Sequence, residues 1–258
     1  MDLKLKDKKV LVTGASKGIG YATALAFARE GAAPVLVSRS EEALQTAAER
    51  IRQETSVTVA IQVADLTTDG ACEELYRKFQ DVDVLVNNAG AVPGGSLQDL
   101  TMQQWRSGWE LKVFGYIHMC KLFSASMFAR KSGTILNIIG MGGRAVRAHY
   151  ICGAAGNAAL IGFTQALGSE SANHNVRVMG INPSPTSTER FNDLARQRAA
   201  SELGDESRWQ EFIDGAKYPF GRLKTPQEVA SLAVMLCSPE VHYLSGTVVD
   251  LDGGQQWR

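Results

Sequence analysis

The stretch TGASKGIG, residues 13–20, follows a β-branched run, KVLVTG at 9–14, and opens a segment of helical period from about residue 19 to residue 30. Gly14, Gly18 and Gly20 at such a turn let the backbone approach a bound group closely. The helix that starts there points free amides and the positive end of its dipole at an anion. A glycine-rich string carries little weight alone. Between a predicted strand and a predicted helix it predicts a dinucleotide pyrophosphate site, with Ser16, Lys17 and Ile19 in the same turn.

Outward from that turn, short apolar runs at 33–39, 57–66, 82–90, 133–140, 176–185 and 246–254 alternate with longer segments of helical period, among them 41–54 and 149–170. Strands that are apolar throughout and separated by helices predict a parallel sheet covered on both faces. The expected fold class is therefore α/β, a Rossmann-like doubly wound sheet. With 258 residues, 45% of them hydrophobic, one sizeable core and a single domain over 1–258 are expected. The long polar stretch 184–218, with one or two short helices in FNDLARQRAASEL at 191–203, is assigned to the substrate side as a loop or lid.

Lys+Arg and Asp+Glu both number 27, so the formal net charge is zero and no basic stripe suits a phosphate backbone. Nucleic acid is not expected as a partner. Cys72, Cys120, Cys152 and Cys237 are far apart, which predicts reduced thiols in a reducing compartment. His118, His174 and His242 have no partner at ligand spacing, so no metal site is predicted. No run approaches the roughly 20 apolar residues of a membrane span. A cytoplasmic protein without membrane contact is expected.

NAD binders usually place an acid about 20 residues beyond the glycines, at the end of the second strand, to hold the ribose 2′-hydroxyl. Ser38 stands there, followed by Arg39, and Lys17 lies in the glycine turn. Two cations where a carboxylate would repel a 2′-phosphate favour NADP(H) over NAD(H).

With TGASKGIG, ADL at 64–66, NNAG at 87–90, INPSPTST at 181–188 and LSGTVVDLDGG at 244–254 in order, the chain resembles the short-chain dehydrogenase/reductase family over essentially its whole length. The resemblance implies that Asp65 and Leu66 lie beside the adenine and that Asn88, Ala89 and Gly90 line the cofactor. It also implies that Pro183, Thr186 and Thr188 hold the nicotinamide carboxamide, and that the protein is a homotetramer or dimer. Ser184 departs from the family, which usually has glycine there.

In this family a tyrosine phenol exchanges a proton with the substrate oxygen, and a lysine four residues later lowers its pKa and binds the ribose. A serine about 13 residues earlier binds the substrate oxygen, and an asparagine on the preceding helix anchors a water relay. Aligning NAALIGFTQALGSE at 157–170 puts Asn157 at the lysine position, Gly153 at the tyrosine and Gly140 at the serine. Counting through WELKVFG at 109–115 puts Lys112 at the asparagine. All four positions depart from the family, so its mechanism does not carry over.

Two readings follow. One is an inactive or regulatory dinucleotide-binding homologue. The other is an oxidoreductase acting on a ketone or secondary alcohol with relocated groups, since Lys112 and Asn157 look like a reciprocal exchange between facing positions. Gly140 and Gly153 leave space in the substrate pocket, which a bulky substrate or Tyr150 fills. Tyr150, three residues before Gly153 on the expected helix, is preferred to its neighbour His149 as proton donor, because adjacent helical residues point about 100° apart. Arg144 and Arg147 lie in the loop over the substrate, where they either recognise an anionic group such as a carboxylate or are ordinary surface arginines. Trp105 and Trp109 form a helix packing face.

Overall fold

The computed structural model describes residues 2–257. The elements are β1 (Lys9–Thr13), α1 (Gly18–Arg29), β2 (Ala33–Ser38), α2 (Glu41–Glu54), β3 (Ala60–Val63), α3 (Ala71–Phe79), β4 (Val84–Asn87) and α4 (Met102–Trp109). They continue as α5 (Gly115–Arg130), β5 (Gly133–Ile138), α6 (Ile151–Ser171), β6 (Val176–Pro183), α7 (Glu189–Leu203), α8 (Pro226–Cys237) and β7 (Val248–Leu251). All strand pairs are parallel, in the order β3-β2-β1-β4-β5-β6-β7.

The continuous apolar runs follow from the strand's period of two between two covered faces. Val10 and Val12 of β1 pack with Phe27, Leu44, Ile51 and Val229, on the side of α1, α2 and α8. Leu11 between them packs with Leu75, Phe123 and Met127, on the side of α3 and α5. Burying an aliphatic side chain of this kind contributes about 1.5–3 kcal/mol, so a polar substitution on either face of β1 would be felt.

The chain leaves β3 at one edge and returns to β4 on the far side of β1. That reversal opens a crevice at the carboxyl ends of the strands, the usual ligand position in an open α/β sheet. The glycine turn before α1 and the Asn88–Gly90 segment after β4 pack against each other and both line it.

Two expectations about helices need correction. Helix α6 begins at Ile151, not at residue 149, because the amide of Gly95 donates to the carbonyl of His149 at 2.7 Å and Gly95 pairs with Tyr150 as an isolated bridge. Tyr150 is thus the residue that caps α6, with φ −133°, and the helical angle between His149 and Tyr150 does not apply. Helix α6 with the turn after it, Ile151–His174, is also long and apolar enough by length and composition to cross a membrane, although half of its most apolar window is buried inside the protein. In the 184–218 stretch, α7 is a full helix of 15 residues, started by the Thr188 side chain accepting from the Phe191 amide.

Candidate functional site

A cleft of about 1340 Å³ runs across the carboxyl ends of the strands from Ser38 and Arg39 to Tyr150 and Tyr218. Gly14 and Gly18 have φ of +65° and +60°, a conformation other residues adopt only under strain. At Gly20 a Cβ would lie 2.2 Å from the Gly14 carbonyl oxygen, so helix and turn could not pack with any side chain there. Asn88 locks the turn from the other side, its Nδ2 donating to the carbonyls of Thr13 and Gly14 at 2.9 and 3.2 Å. Lys17, before the first residue of α1, offers no side-chain cap, and the first amides of that helix stay available to an anion.

At the adenine end, Ser38 Oγ is buried with no hydrogen-bond partner among the described residues. Arg39 lies exposed, 3.9 Å from Asp65, whose carboxyl is held below the usual range chiefly by hydrogen bonds from the hydroxyl and amide of Thr67. Lys17 is equally exposed and paired with Glu189 of α7. A glycine cradle, an uncapped helix start and an orphaned hydroxyl at the second strand end suit a dinucleotide.

At the other end the side chains have been rearranged. A Cβ on Gly153 would meet the Tyr150 ring carbon Cζ at 2.1 Å and its hydroxyl at 2.6 Å, and one on Gly142 would touch the same ring at 3.1 Å. The Tyr150 phenol therefore occupies the volume over Gly153. Burial raises the Tyr150 pKa, and Arg190 partly offsets this. His149 also lines the cleft, and burial together with Arg198 and Arg147 lowers its pKa, although Glu202 opposes them.

Lys112 stands on a π-helical turn, Glu110–Phe114, inserted between α4 and α5. Such turns re-aim side chains and recur at functional sites. Only 8% of Lys112 is exposed, yet it lines the cleft. Its Nζ donates to the Ile138 carbonyl at 2.7 Å and to the Tyr116 hydroxyl at 3.0 Å, and it lies 4.5 Å from the centre of the Tyr116 ring. The Tyr116 hydroxyl in turn donates to the same carbonyl at 2.9 Å. No carboxylate among the described residues pairs with Lys112, and burial alone lowers its pKa to about 7. A Cβ on Gly90 would lie 2.6 Å from Lys112 Cδ, so the last glycine of NNAG makes room for this lysine.

Asn157 is 3% exposed, lines the cleft, and leaves its Oδ1 without a partner among the described residues. A Cβ on Gly140, whose φ is +136°, would come within 3.0 Å of Asn157 Nδ2. The Lys112 ammonium bonds inward to β5 and α5 and not to Asn157.

The sequence-predicted cofactor residues line this cleft, except Gly20, which packs behind the turn. Of the predicted substrate residues, Gly140 and Arg147 line it and two do not. Gly153 is covered by Tyr150. Arg144 turns away to pair with Asp250 of β7 at 2.9 Å, a carboxylate that also accepts from Asn182. Sequence reasoning missed Tyr116 and Arg190. Tyr116, one helical turn beyond Lys112, carried the spacing signal that could have found it. Trp105 and Trp109 do pack together, 6.3 Å between ring centres, with Val92, Leu100 and Cys152.

A family model for short chain dehydrogenases matches residues 8–199. The 3-oxoacyl-[acyl-carrier-protein] reductase of Chlamydia muridarum is 30% identical over 261 aligned positions, covering 98% of this chain and 99% of the relative. The 2-keto-3-deoxy-L-fuconate dehydrogenase of Xanthomonas campestris is 32% identical, covering 97% and 81%. Among solved structures, L-sorbose reductase from Gluconobacter frateurii, complexed with NADPH and L-sorbose, superposes with a TM-score of 0.87 at 29% identity, covering 98% of each chain. An NAD+-bound xylitol dehydrogenase superposes with a TM-score of 0.89 at 26% identity, covering 97% and 100%. With this sheet order, this glycine turn and these matches along its length, the chain belongs to the short-chain dehydrogenase family of oxidoreductases.

Proposed function

We propose that the protein is a cytoplasmic NADP(H)-dependent oxidoreductase that interconverts a small ketone and its secondary alcohol, with Lys112 at the centre of proton transfer. The observation that carries this reading is a buried lysine with no counter-charge among the described residues, aimed from a π-helical turn into the wall of the cleft. A group that titrates near the working pH is the best placed to give and take protons. An ammonium has three donors. Ile138 and Tyr116 take two, which leaves one for the cleft.

When bound, the dinucleotide supplies or accepts the hydride. Gly14, Ser16, Gly18, Ile19 and the first amides of α1 hold its pyrophosphate, with Asn88, Ala89 and Gly90 beside them along the cleft. Ser38, Arg39 and Lys17 meet a 2′-phosphate, Asp65 and Leu66 flank the adenine, and Pro183, Thr186 and Thr188 contact the carboxamide. For Lys17 this means exchanging Glu189 for the phosphate. Asn157 offers its unpartnered Oδ1 to a ribose hydroxyl.

Tyr150, whose pKa is raised and whose phenol stays protonated, donates a hydrogen bond to the substrate oxygen. The Lys112 ammonium, the more acidic of the two, is the proton source for the developing alkoxide. Arg147 and Arg190, neither paired with a carboxylate among the described residues, line the substrate end and suit a substrate with an anionic group. Residues 184–218 form the wall over that substrate. The row Ala155, Ala158, Ala159, Gly162 and Ala166 on the exposed face of α6 suits close helix packing between copies in a dimer or tetramer.

The absence of hydroxyls at Gly140 and Gly153 favours a second reading, dinucleotide binding without turnover. A panel of ketones and alcohols, including keto acids, assayed by cofactor absorbance decides between them. Oxidation or reduction of the cofactor with any of them supports the enzyme. Cofactor binding with no turnover across the panel supports the second reading.

A further inference from the structure

Lys224 has no part in the cleft wall, yet it is half-buried beside the loop that carries Ser184. Its Nζ donates to both the carbonyl and the hydroxyl of Ser184, each at 2.8 Å. Its backbone holds the same loop: the Ser187 amide donates to the Lys224 carbonyl at 2.7 Å, and Thr186 pairs with Lys224 as an isolated bridge. From the other side, the Ser184 amide donates to the Leu251 carbonyl at 3.1 Å and the Thr186 hydroxyl to the Ser184 carbonyl at 2.9 Å.

Lys224 is itself firmly anchored. The next residue, Thr225, starts α8 with a capping box to Glu228, and Glu228 is gripped by Arg222 at 2.8 Å through both carboxylate oxygens. A rigid helix start thus hooks a lysine over residues 184–188. Glycine at 184 would remove the hydroxyl that takes one of the two side-chain bonds. Burial lowers the Lys224 pKa to about 8, against the nearby charges of Glu228 and Asp252, so a buried ammonium is kept here at a cost that its two bonds offset.

We infer that Lys224 and Ser184 form a strap that positions the 184–188 loop and thereby sets the affinity for the nicotinamide end of the cofactor. This rests on the proposed function, which places Thr186 and Thr188 on the carboxamide. Lys224 is a positioning residue, acting through the loop and touching neither cofactor nor substrate.

The experiment compares dissociation constants, by calorimetry on the folded protein, for NADPH and for 2′-phospho-ADP-ribose, the same molecule without its nicotinamide. Lys224→Met should weaken NADPH binding by about tenfold or more, the range for losing a hydrogen bond to a charged group. The truncated ligand should bind within about twofold of wild type. Lys224→Arg should recover part of the loss, and Ser184→Gly should show a smaller loss that does not add to that of Lys224→Met. If Lys224→Met does not fold, Lys224→Arg and Ser184→Gly carry the comparison. Equal losses for both ligands, or none for NADPH, would overturn the strap. A wild-type protein that binds neither NADPH nor NADH would overturn the proposed function and the strap with it. Binding without turnover would remove the enzyme and leave the strap standing.

Discussion

Arg177 and Lys112 are both buried cations with no carboxylate partner among the described residues, and they lie at opposite ends of the strands. Arg177, near the start of β6, donates to the carbonyls of Leu236 and Cys237 at 2.8 and 2.9 Å, to the Val241 carbonyl at 3.4 Å and to the Thr134 hydroxyl at 3.2 Å. The first two carbonyls end α8, so the negative end of a helix dipole replaces the carboxylate. Its guanidinium is surrounded by acceptors and lies outside the dinucleotide cleft. Lys112, past the end of β5, has one carbonyl, one phenol and an aromatic face, and it opens on the cleft. A buried charge therefore signals function only where its donors are left incomplete next to space for a ligand.

The comparison can be broken first at Lys112. Lys112→Met should cut turnover by at least about 100-fold, typical of losing an acid–base or electrostatic group, while cofactor affinity stays near wild type. It should not destabilise the protein near neutral pH. In the unfolded chain a lysine keeps its proton up to about pH 10.4, whereas folded Lys112 loses it near 7, so the unfolded state binds more protons between those values and wild-type stability rises with pH there. The stability advantage of Lys112→Met should accordingly shrink as pH rises from about 7 towards 10. Near-normal turnover would reduce Lys112 to a packing residue.

The matching change at the other end, Arg177→Met, should do the reverse. Leaving the α8 carbonyls unsatisfied costs about 2–4 kcal/mol, which lowers Tm by roughly 5–15 °C in a protein of this size. Turnover per folded molecule should be unchanged. A loss of turnover without a loss of stability would erase the contrast between the two ends.

Gly153→Tyr sharpens the reaction end. The new side chain must displace Tyr150, with an overpacking cost of about 1–3 kcal/mol. No gain in ketone reduction is expected, because Asn157 stands four residues on where the family has lysine. Robust new activity would show that the pocket lacked only its phenol. The smallest change is expected at the adenine end. Arg39→Asp should shift preference from NADPH towards NADH by about tenfold, read by fluorescence titration, and equal loss for both would remove Arg39 from phosphate recognition.

The two ends of the cleft differ in how far the sequence discloses them. The cofactor end depends on backbone conformation, and only glycine meets the demands at positions 14, 18 and 20, so residue type announces geometry. The strands were legible for a similar reason, since burial on both faces leaves an unbroken apolar run. The reaction end depends on which side chain fills which volume. Residues 149 and 150 read as helix because the strand-like pairing with Gly95 comes from more than 50 positions away. Tyr116 stands four residues after Lys112, a spacing that hints at contact, but only the π-helical turn shows that the two side chains meet. Arg144 reads as a substrate arginine until β7 places Asp250 within its reach.

The most direct test needs no substrate. Protein carrying 13C-labelled lysine is titrated by NMR, with Lys112→Arg used to assign the Lys112 signal. One lysine ε-carbon resonance should titrate with a midpoint near 7 and be absent from the variant, as expected for an ammonium buried without a counter-charge. A Lys112 resonance that titrates in the ordinary lysine range, above about 10, would contradict a proton-transfer role built on that site.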